Sequence, residues 1–400
     1  MQADGLSLTP STGGPDTLTC VIAQLENPPD NTSSPNSSPN KKMRLPKLPT
    51  ETVIEMRSWG MVTNWMIPFW NDYQSSLATF GIQFCDLHDS HCDAQPAPYE
   101  LAPYFGCARN ASQQDLFVKM IDKGTPEDQI YRYLAGCKEL YDSCTFKWGA
   151  GYRITDFNTL RAILTFIRCT LTGLTFLHDH RIAHRDIHET NILLNWYCRD
   201  IQKASCTERL RAHYQSSSAL YALFDFDLSL HLPPTTSLKD CLRPASEAFI
   251  GRSDYHPTDI YQGEPYYNPF AFDVACLGNL FSYYFAEAIP ANPFLAALFS
   301  RMTTHIIDDR FTAAEALAFV REIEGELPPD VLDSAVTLRP DCDVLDHPER
   351  YWSRLHPDDQ IKWQAHRPPP LTWTTRVLRR ISTTELGCRV VPFVRRSLGI

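Results

Sequence analysis

Residues 177–195 read LHDHRIAHRDIHETNILLN, with His178, His180, His184 and His188 set around Asp186. Upstream, Leu160, Ile163, Leu164, Ile167, Leu171, Leu174 and Leu177 keep a 3.6-residue period, which predicts a buried helix from about Phe157 to His178. Downstream, NILL and LYALFDF are apolar runs of strand length. His184 and His188 stand four apart, as zinc ligands on a helix would. In the zinc-protease pattern a Glu follows the first His; here Arg185 does, and a fixed guanidinium opposes a bound cation. The expectation is that these histidines hold no metal, with His178 and His180 at a helix end, where their charge interacts favourably with the dipole.

Every position of HRDIHETN (His184–Asn191) resembles the catalytic loop of protein kinases, His-Arg-Asp followed five residues later by Asn. The resemblance implies that Asp186 accepts the proton of a substrate hydroxyl, that Asn191 holds Mg²⁺, and that His184 and Arg185 support the loop. Further matches follow in order. Asp225-Phe226 in FDFD is similar to the Asp-Phe-Gly element, whose Asp bridges Mg²⁺ to the phosphates of ATP. GRSDYHPTD resembles the GTPEYLAPE loop of Ser/Thr kinases, with Gly251 and Tyr255 coinciding and Asp259 in place of Glu. FDVACLG resembles the DVWSLG helix start, which makes Asp273 the support of the catalytic-loop backbone. Arg310 in DDRFTAAEAL takes the place of the ion-pair partner of Asp259. The matches run from about Leu160 to Leu317 and resemble most the divergent kinase-like proteins of mushroom-forming fungi.

N-terminal to them the resemblance thins. The predicted strand DLFVKMI (Asp115–Ile121) carries Lys119, similar to the kinase lysine that contacts the α- and β-phosphates. A helix is predicted from Thr125 to Asp142, with Thr125 as N-cap, Pro126 at the first position and Asp128 closing a capping box. Ile130, Tyr133, Leu134 and Cys137 form its apolar face. Glu127 is the nearest carboxylate on that face, whereas the kinase register points to Gln129. Gly106 in YFGCARN is the only candidate for a phosphate-covering glycine loop. About fifteen residues separate this helix from the one at Phe157. At about 3.3 Å per residue of strand, they do not supply the two strands and adenine-binding hinge of a kinase. Asp227 stands where the family has a glycine, a position that often needs that residue's backbone freedom. His188 replaces the usual Lys and Arg252 the usual Thr, and both positions bear on the substrate. Residues 199–218 read as an insertion. Thr235, Thr236, Ser237 and Ser246 fall in the activation loop, where Arg185 could pair with a phosphate.

The bulk numbers set the frame. A chain of 400 residues with 43% hydrophobic content can bury a sizeable core. A net charge of −10 argues against a nucleic-acid-gripping protein. Thirteen dispersed cysteines fit a reducing compartment, and no basic segment followed by an apolar run opens the chain, so a cytoplasmic or nuclear location is expected. Trp59–Trp70 is apolar but too short to span a membrane, so no transmembrane segment is expected. CDLHDSHC (85–92) holds four zinc-capable side chains without the spacing of a known finger.

The expected organisation is a disordered tail (1–48, with the basic KKMRLPK), a helical extension (49–98), a reduced N-lobe (99–156), a C-lobe (157–327) and a C-terminal extension (328–400). The fold class is α+β, a bilobal protein-kinase-like fold with a reduced β N-lobe and a mainly helical C-lobe. The expected activity is ATP- and Mg²⁺-dependent phosphoryl transfer to Ser or Thr of a protein. The alternatives are a pseudokinase that binds without turnover and a small-molecule kinase, whose loop reads His-Gly-Asp and which Arg185 speaks against. The end of the chain, with Arg376, Arg379, Arg380, Arg389, Arg395 and Arg396 against Glu385, predicts a basic amphipathic helix. It either docks on the acidic body or meets a partner or anionic lipid.

Overall fold

The computed structural model describes residues 74–75, 78–79, 81–84, 105–110, 115–119, 121, 123–137, 152–196, 204–252, 254–347, 349–382 and 387–398. The fold is α+β. It divides into two units, one from Met1–Asp89, Leu101–Met120 and Arg132–Trp148, the other from Ser90–Glu100, Ile121–Tyr131 and Gly149–Ile400. The basic KKMRLPK patch, Trp59–Trp70 and the 85–92 cluster lie outside the described residues.

In the first unit, β1 (Ile82–Phe84), β2 (Phe105–Asn110) and β3 (Asp115–Lys119) form an antiparallel sheet in that order. β1 falls inside the stretch expected to be helical. Its three residues pair with Ala108–Asn110 of β2, whose carbonyls and amides it satisfies. Gly106 pairs with Val118 in mid-strand, so among the described residues it forms no phosphate loop. Lys119 ends β3 opposite Phe105.

α1 (Pro126–Ala135) starts as the capping chemistry predicts, with Asp128 N–H donating to Thr125 Oγ1. The return arm differs: Asp128 Oδ2 accepts from Gly124 N–H at 2.8 Å. Ile130 and Leu134 are buried, whereas Tyr133 is exposed because only the narrower part of the expected face meets the interior.

The second unit is built on α2 (Leu160–Asp179), capped by Thr159, and every leucine and isoleucine of its predicted stripe is buried. It is also the one described helix long and apolar enough to cross a membrane. Its burial inside the unit explains that composition. Four short strands follow the chain reversal: β4 (Ile182–Ala183), β5 (Ile192–Leu194), and, after α3 (Ala204–Gln215), β6 (Tyr221–Leu223) and β7 (Leu230–His231). β5 pairs with β6 and β4 with β7, both antiparallel, so two ladders fix the loop between them. The predicted insertion contains α3, whose Tyr214 packs edge-on against Phe157 at 4.9 Å.

β8 (Arg243–Pro244) pairs with β9 (Tyr266–Tyr267) ahead of α4 (Pro269–Phe285). Asn268 caps α4 by accepting from the Phe270 and Ala271 N–H groups, and Pro269 takes the first position, where no donor is needed. α5 (Phe294–Thr303) packs on α4, and α6 (Ala313–Glu326), opened by a Thr312–Glu315 capping box, packs along α2.

The C-terminal extension is part of this unit. Short helices α7 (Pro329–Leu332), α8 (Asp343–Asp346), α9 (Glu349–Ser353) and α10 (Pro357–Trp363) precede α11 (Trp373–Ser382) and α12 (Gly387–Leu398). Tyr351 and Trp352 of α9 are buried and both bond to Ser300 on α5.

Candidate functional site

The loop from His184 to Asn191 is suspended from one carboxylate. Asp273, fully buried on α4, accepts the backbone N–H of His184 through Oδ2 and of Arg185 through Oδ1, each at 2.7 Å. His178 Nε2 adds a third donor to Oδ2 at 3.2 Å. A buried carboxylate is tolerable only with its oxygens so satisfied. This is the supporting role expected of Asp273. It also gives His178 a closer partner than the helix dipole. His180 Nδ1 bonds back to the Phe176 carbonyl at 2.8 Å.

His184 is scaffold, as expected. Its Nδ1 accepts from Asp186 N–H and its Nε2 lies 2.9 Å from the Phe224 carbonyl, so the network places the proton on Nε2. Ser229 Oγ donates to the His184 carbonyl. Arg185 sits in the left-handed region at φ 67° and reaches the Glu247 carbonyl through Nη2 at 2.8 Å. Its Nε is buried without a hydrogen-bond partner. Of the candidate phosphorylation positions, Ser246 adjoins this contact. Thr236 offers its carbonyl to Arg181 Nε at 2.7 Å instead.

Asp186 and Asn191 come together. Asn191 Nδ2 donates both to the Asp186 carbonyl (2.9 Å) and to its Oδ2 (2.8 Å), while Arg252 N–H donates to Oδ1 at 3.1 Å. Asp186 is half-buried and Asn191 buried. Gly251 has φ 93°, and a Cβ there would lie 2.7 Å from Leu228 Cδ1 and 2.8 Å from Asp186 Oδ1. Glycine is therefore required for both its backbone and its size.

Asp225 is held to the same loop through its neighbours. Phe224 N–H donates to the Asn191 carbonyl, and Phe226 is buried against His184 (5.5 Å) and Tyr131 of α1 (5.1 Å). The left-handed residue in this element is Asp225 itself, at φ 70°. Asp227 is not left-handed, so the glycine freedom expected to be missing there is not needed. Asp tolerates the left-handed region better than most residues because its short polar side chain bonds locally. The oxygens of Asn191 and Asp225 are hard donors suited to Mg²⁺, which takes one or two carboxylates and completes its shell with phosphate and water. Among the described residues no group of three or more His, Cys, Asp or Glu side chains forms a self-contained metal site.

Arg310 and Asp259 form the expected ion pair at 2.8 Å, and Arg310 also donates to the Ala271 and Thr304 carbonyls. The fork of five donors lets one buried cation satisfy three acceptors. On α1, Glu127 is buried and Gln129 exposed, so the carboxylate faces the interior.

Two residues escaped the sequence reading. Glu189 accepts the hydroxyls of Tyr255 (2.9 Å) and Tyr284 (3.0 Å) and lies 3.2 Å from His188 Nε2, tying the loop to α4 and to the segment after Gly251. Burial and the Glu189 carboxylate push both phenols far up. Arg181, left-handed at φ 60°, closes the end of α2 by donating to the His178, Asp179 and Thr236 carbonyls. His188, in the position of the usual lysine, accepts from Thr190 at Nδ1. Burial chiefly lowers its pKa, with Arg252 adding to the shift and Glu189, Asp254 and Asp186 opposing it. It is a neutral donor at pH 7, not a cation.

No family model matches the sequence, and no curated protein matches it.

Proposed function

We propose that the chain is a protein kinase-like phosphotransferase that moves the γ-phosphate of ATP to a Ser or Thr hydroxyl of a protein, in a cytoplasmic or nuclear setting. In this reading the first unit is a reduced β N-lobe and the second a mainly helical C-lobe. The observation that carries it is the half-exposed Asp186 carboxylate, oriented by Asn191 and Arg252 on a loop hung from buried Asp273. Such a carboxylate suits a base that takes the proton of an attacking hydroxyl while ADP leaves.

Asn191 and Asp225 are the residues that would hold Mg²⁺. When bound, the ion neutralises charge on the phosphate oxygens. The protein's own contribution is positioning: Asp273, His184 and Gly251 fix where the Asp186 oxygens stand. Lys119, at the end of β3, is assigned to the α- and β-phosphates by the kinase resemblance.

Calorimetric titration of ATP into the full chain, with and without Mg²⁺, tests the proposal. Saturable Mg²⁺-dependent binding, weakened in Asp225→Asn and Lys119→Met, is expected, with phosphoryl transfer abolished in Asp186→Asn. Absence of binding at millimolar ATP would overturn it. A second reading, a binding module without turnover, is favoured by the short interval between α1 and α2 and by the strand position of Gly106. ATP binding without transfer in the wild type would select it.

A further inference from the structure

The C-terminal helices α11 and α12 have two faces with different chemistry. Their inner faces are clamped to the segment that follows Asp259. Arg395 on α12 pairs with Glu264 at 2.5 Å, and the Gln262 amide meets the Arg379 guanidinium of α11. Gly263, left-handed at φ 73°, leaves room that a Cβ would take from Val391 and Ser382. Burial lowers the Arg379 pKa, opposed by the attraction of Asp259. This much fits a helix docked on the acidic body.

The other faces carry exposed apolar side chains. On α11, Trp373, Val377 and Ile381 recur at i, i+4 and i+8 and are 75%, 44% and 45% exposed. On α12, Val390, Phe393 and Val394 are 45%, 70% and 44% exposed. Exposed Arg376 and Arg380 flank the α11 row. Single exposed apolar residues are ordinary, but two adjacent helical rows of them are an interaction surface. Residues 367–400 hold seven arginines and one acid, Glu385, so this extension is strongly cationic, and with Arg379 and Arg395 turned to the inner clamp, exposed Arg376 and Arg380 put positive charge beside the apolar row. Two such faces would repel each other, which disfavours pairing of two copies through them. Helices of 10 and 12 residues are too short to span a bilayer. Exposed aromatic and aliphatic side chains bordered by arginines fit the interface of a bilayer with anionic headgroups, where apolar side chains enter the acyl boundary and guanidinium groups meet phosphate.

We propose that α11 and α12 form a monotopic membrane-binding face that holds the chain on a bilayer carrying anionic lipid. The exposed residues are different from those that contact Gln262–Glu264, so binding leaves the inner clamp in place.

Flotation of the full chain with vesicles tests this, comparing phosphatidylcholine alone with phosphatidylcholine containing about three-tenths phosphatidylserine. The wild type is expected to float with the anionic vesicles and to be largely released at about 0.5 M salt. W373S/F393S and R376E are each expected to lower the partition coefficient several-fold or more, with unchanged thermal midpoints, since these three side chains are exposed. Failure of the wild type to float, equal flotation with neutral vesicles, or variants that float like the wild type would overturn the proposal. A dimer in sedimentation equilibrium that W373S/F393S dissociates would also overturn it, in favour of a self-association face.

Discussion

Replacing Asp273 by alanine is expected to destabilise the second unit far more than replacing Asp186. Asp273 is fully buried and accepts three hydrogen bonds, two of them from backbone N–H groups at 2.7 Å. Hydrogen bonds to a charged acceptor are worth about 1.5–3 kcal/mol each, and a buried donor left unpaired costs about 1–3 kcal/mol. The terms overlap, and a net loss of about 4 kcal/mol follows. For a unit of this size each kcal/mol lowers the thermal midpoint by about 2–4 °C, so a drop of about 8–16 °C is expected in Asp273→Ala. Asp186→Ala removes a half-exposed carboxylate, and Asn191 Nδ2 keeps the Asp186 carbonyl as an acceptor. Its cost is about 1 kcal/mol, or roughly 2–4 °C. Differential scanning fluorimetry of the two variants beside the wild type reads the contrast. Equal shifts, or an Asp273→Ala midpoint within about 2 °C of the wild type, would refute the claim that the loop hangs from this carboxylate.

Two other perturbations act on the same region. Gly251→Ala forces a methyl to within 2.7–2.8 Å of Leu228 and Asp186 at a φ of 93°. It is expected to cost about 1–3 kcal/mol in urea denaturation and, where transfer activity is measured, to depress turnover by displacing the Asp186 oxygens. Burial lowers the pKa values of His188, His213 and His256 below 6.5 in the folded chain. The unfolded chain therefore binds more protons. The stability these groups contribute is complete above 6.5 and is lost as pH falls through the folded values. A thermal midpoint lower at about pH 5.5 than at pH 7.5 is expected, and a higher one would contradict the lowered pKa values of these histidines in the folded chain.

The elements legible in the sequence were those whose information is local. α2 could be read from its stripe because each buried position recurs every 3.6 residues, and the start of α1 from Thr125, Pro126 and Asp128 within four residues of one another. The site pairs Asp186–Asn191, Asp273 with the loop, and Asp259–Arg310 were legible only through a resemblance. Nothing in composition or periodicity joins residues 89 or 51 positions apart. Glu189 shows the limit. It stands inside the stretch first singled out, but its two phenolic partners lie 66 and 95 residues downstream and carry no mark of that role. β1 was misread because three residues are too few for alternation to be told from a helical face. The boundary of the C-terminal extension at 328 falls on Pro328-Pro329, and a proline pair ends local structure without saying whether the chain then returns. Trp352 and Tyr351 return it to Ser300.

The turns around Asp186 have a common construction. Arg181, Arg185 and Asp225 are the non-glycine residues with positive φ among those described, and all three border the loop or the element beside it. Each left-handed L-residue costs about 1–2 kcal/mol relative to a relaxed backbone, and glycine would remove that cost. Each side chain or its neighbours supply what glycine cannot. Arg181 closes three carbonyls, Arg185 reaches Glu247, and Asp225 stands between Phe224 and Phe226, which are themselves bonded or packed to the loop. The backbone cost is therefore offset by contacts that also connect distant segments, and the segments meet at the Asp186 carboxylate. A glycine at any of these turns would leave the turn easier to form and the carboxylate less firmly placed. The loop is thus organised around the position of one side chain at the expense of backbone ease.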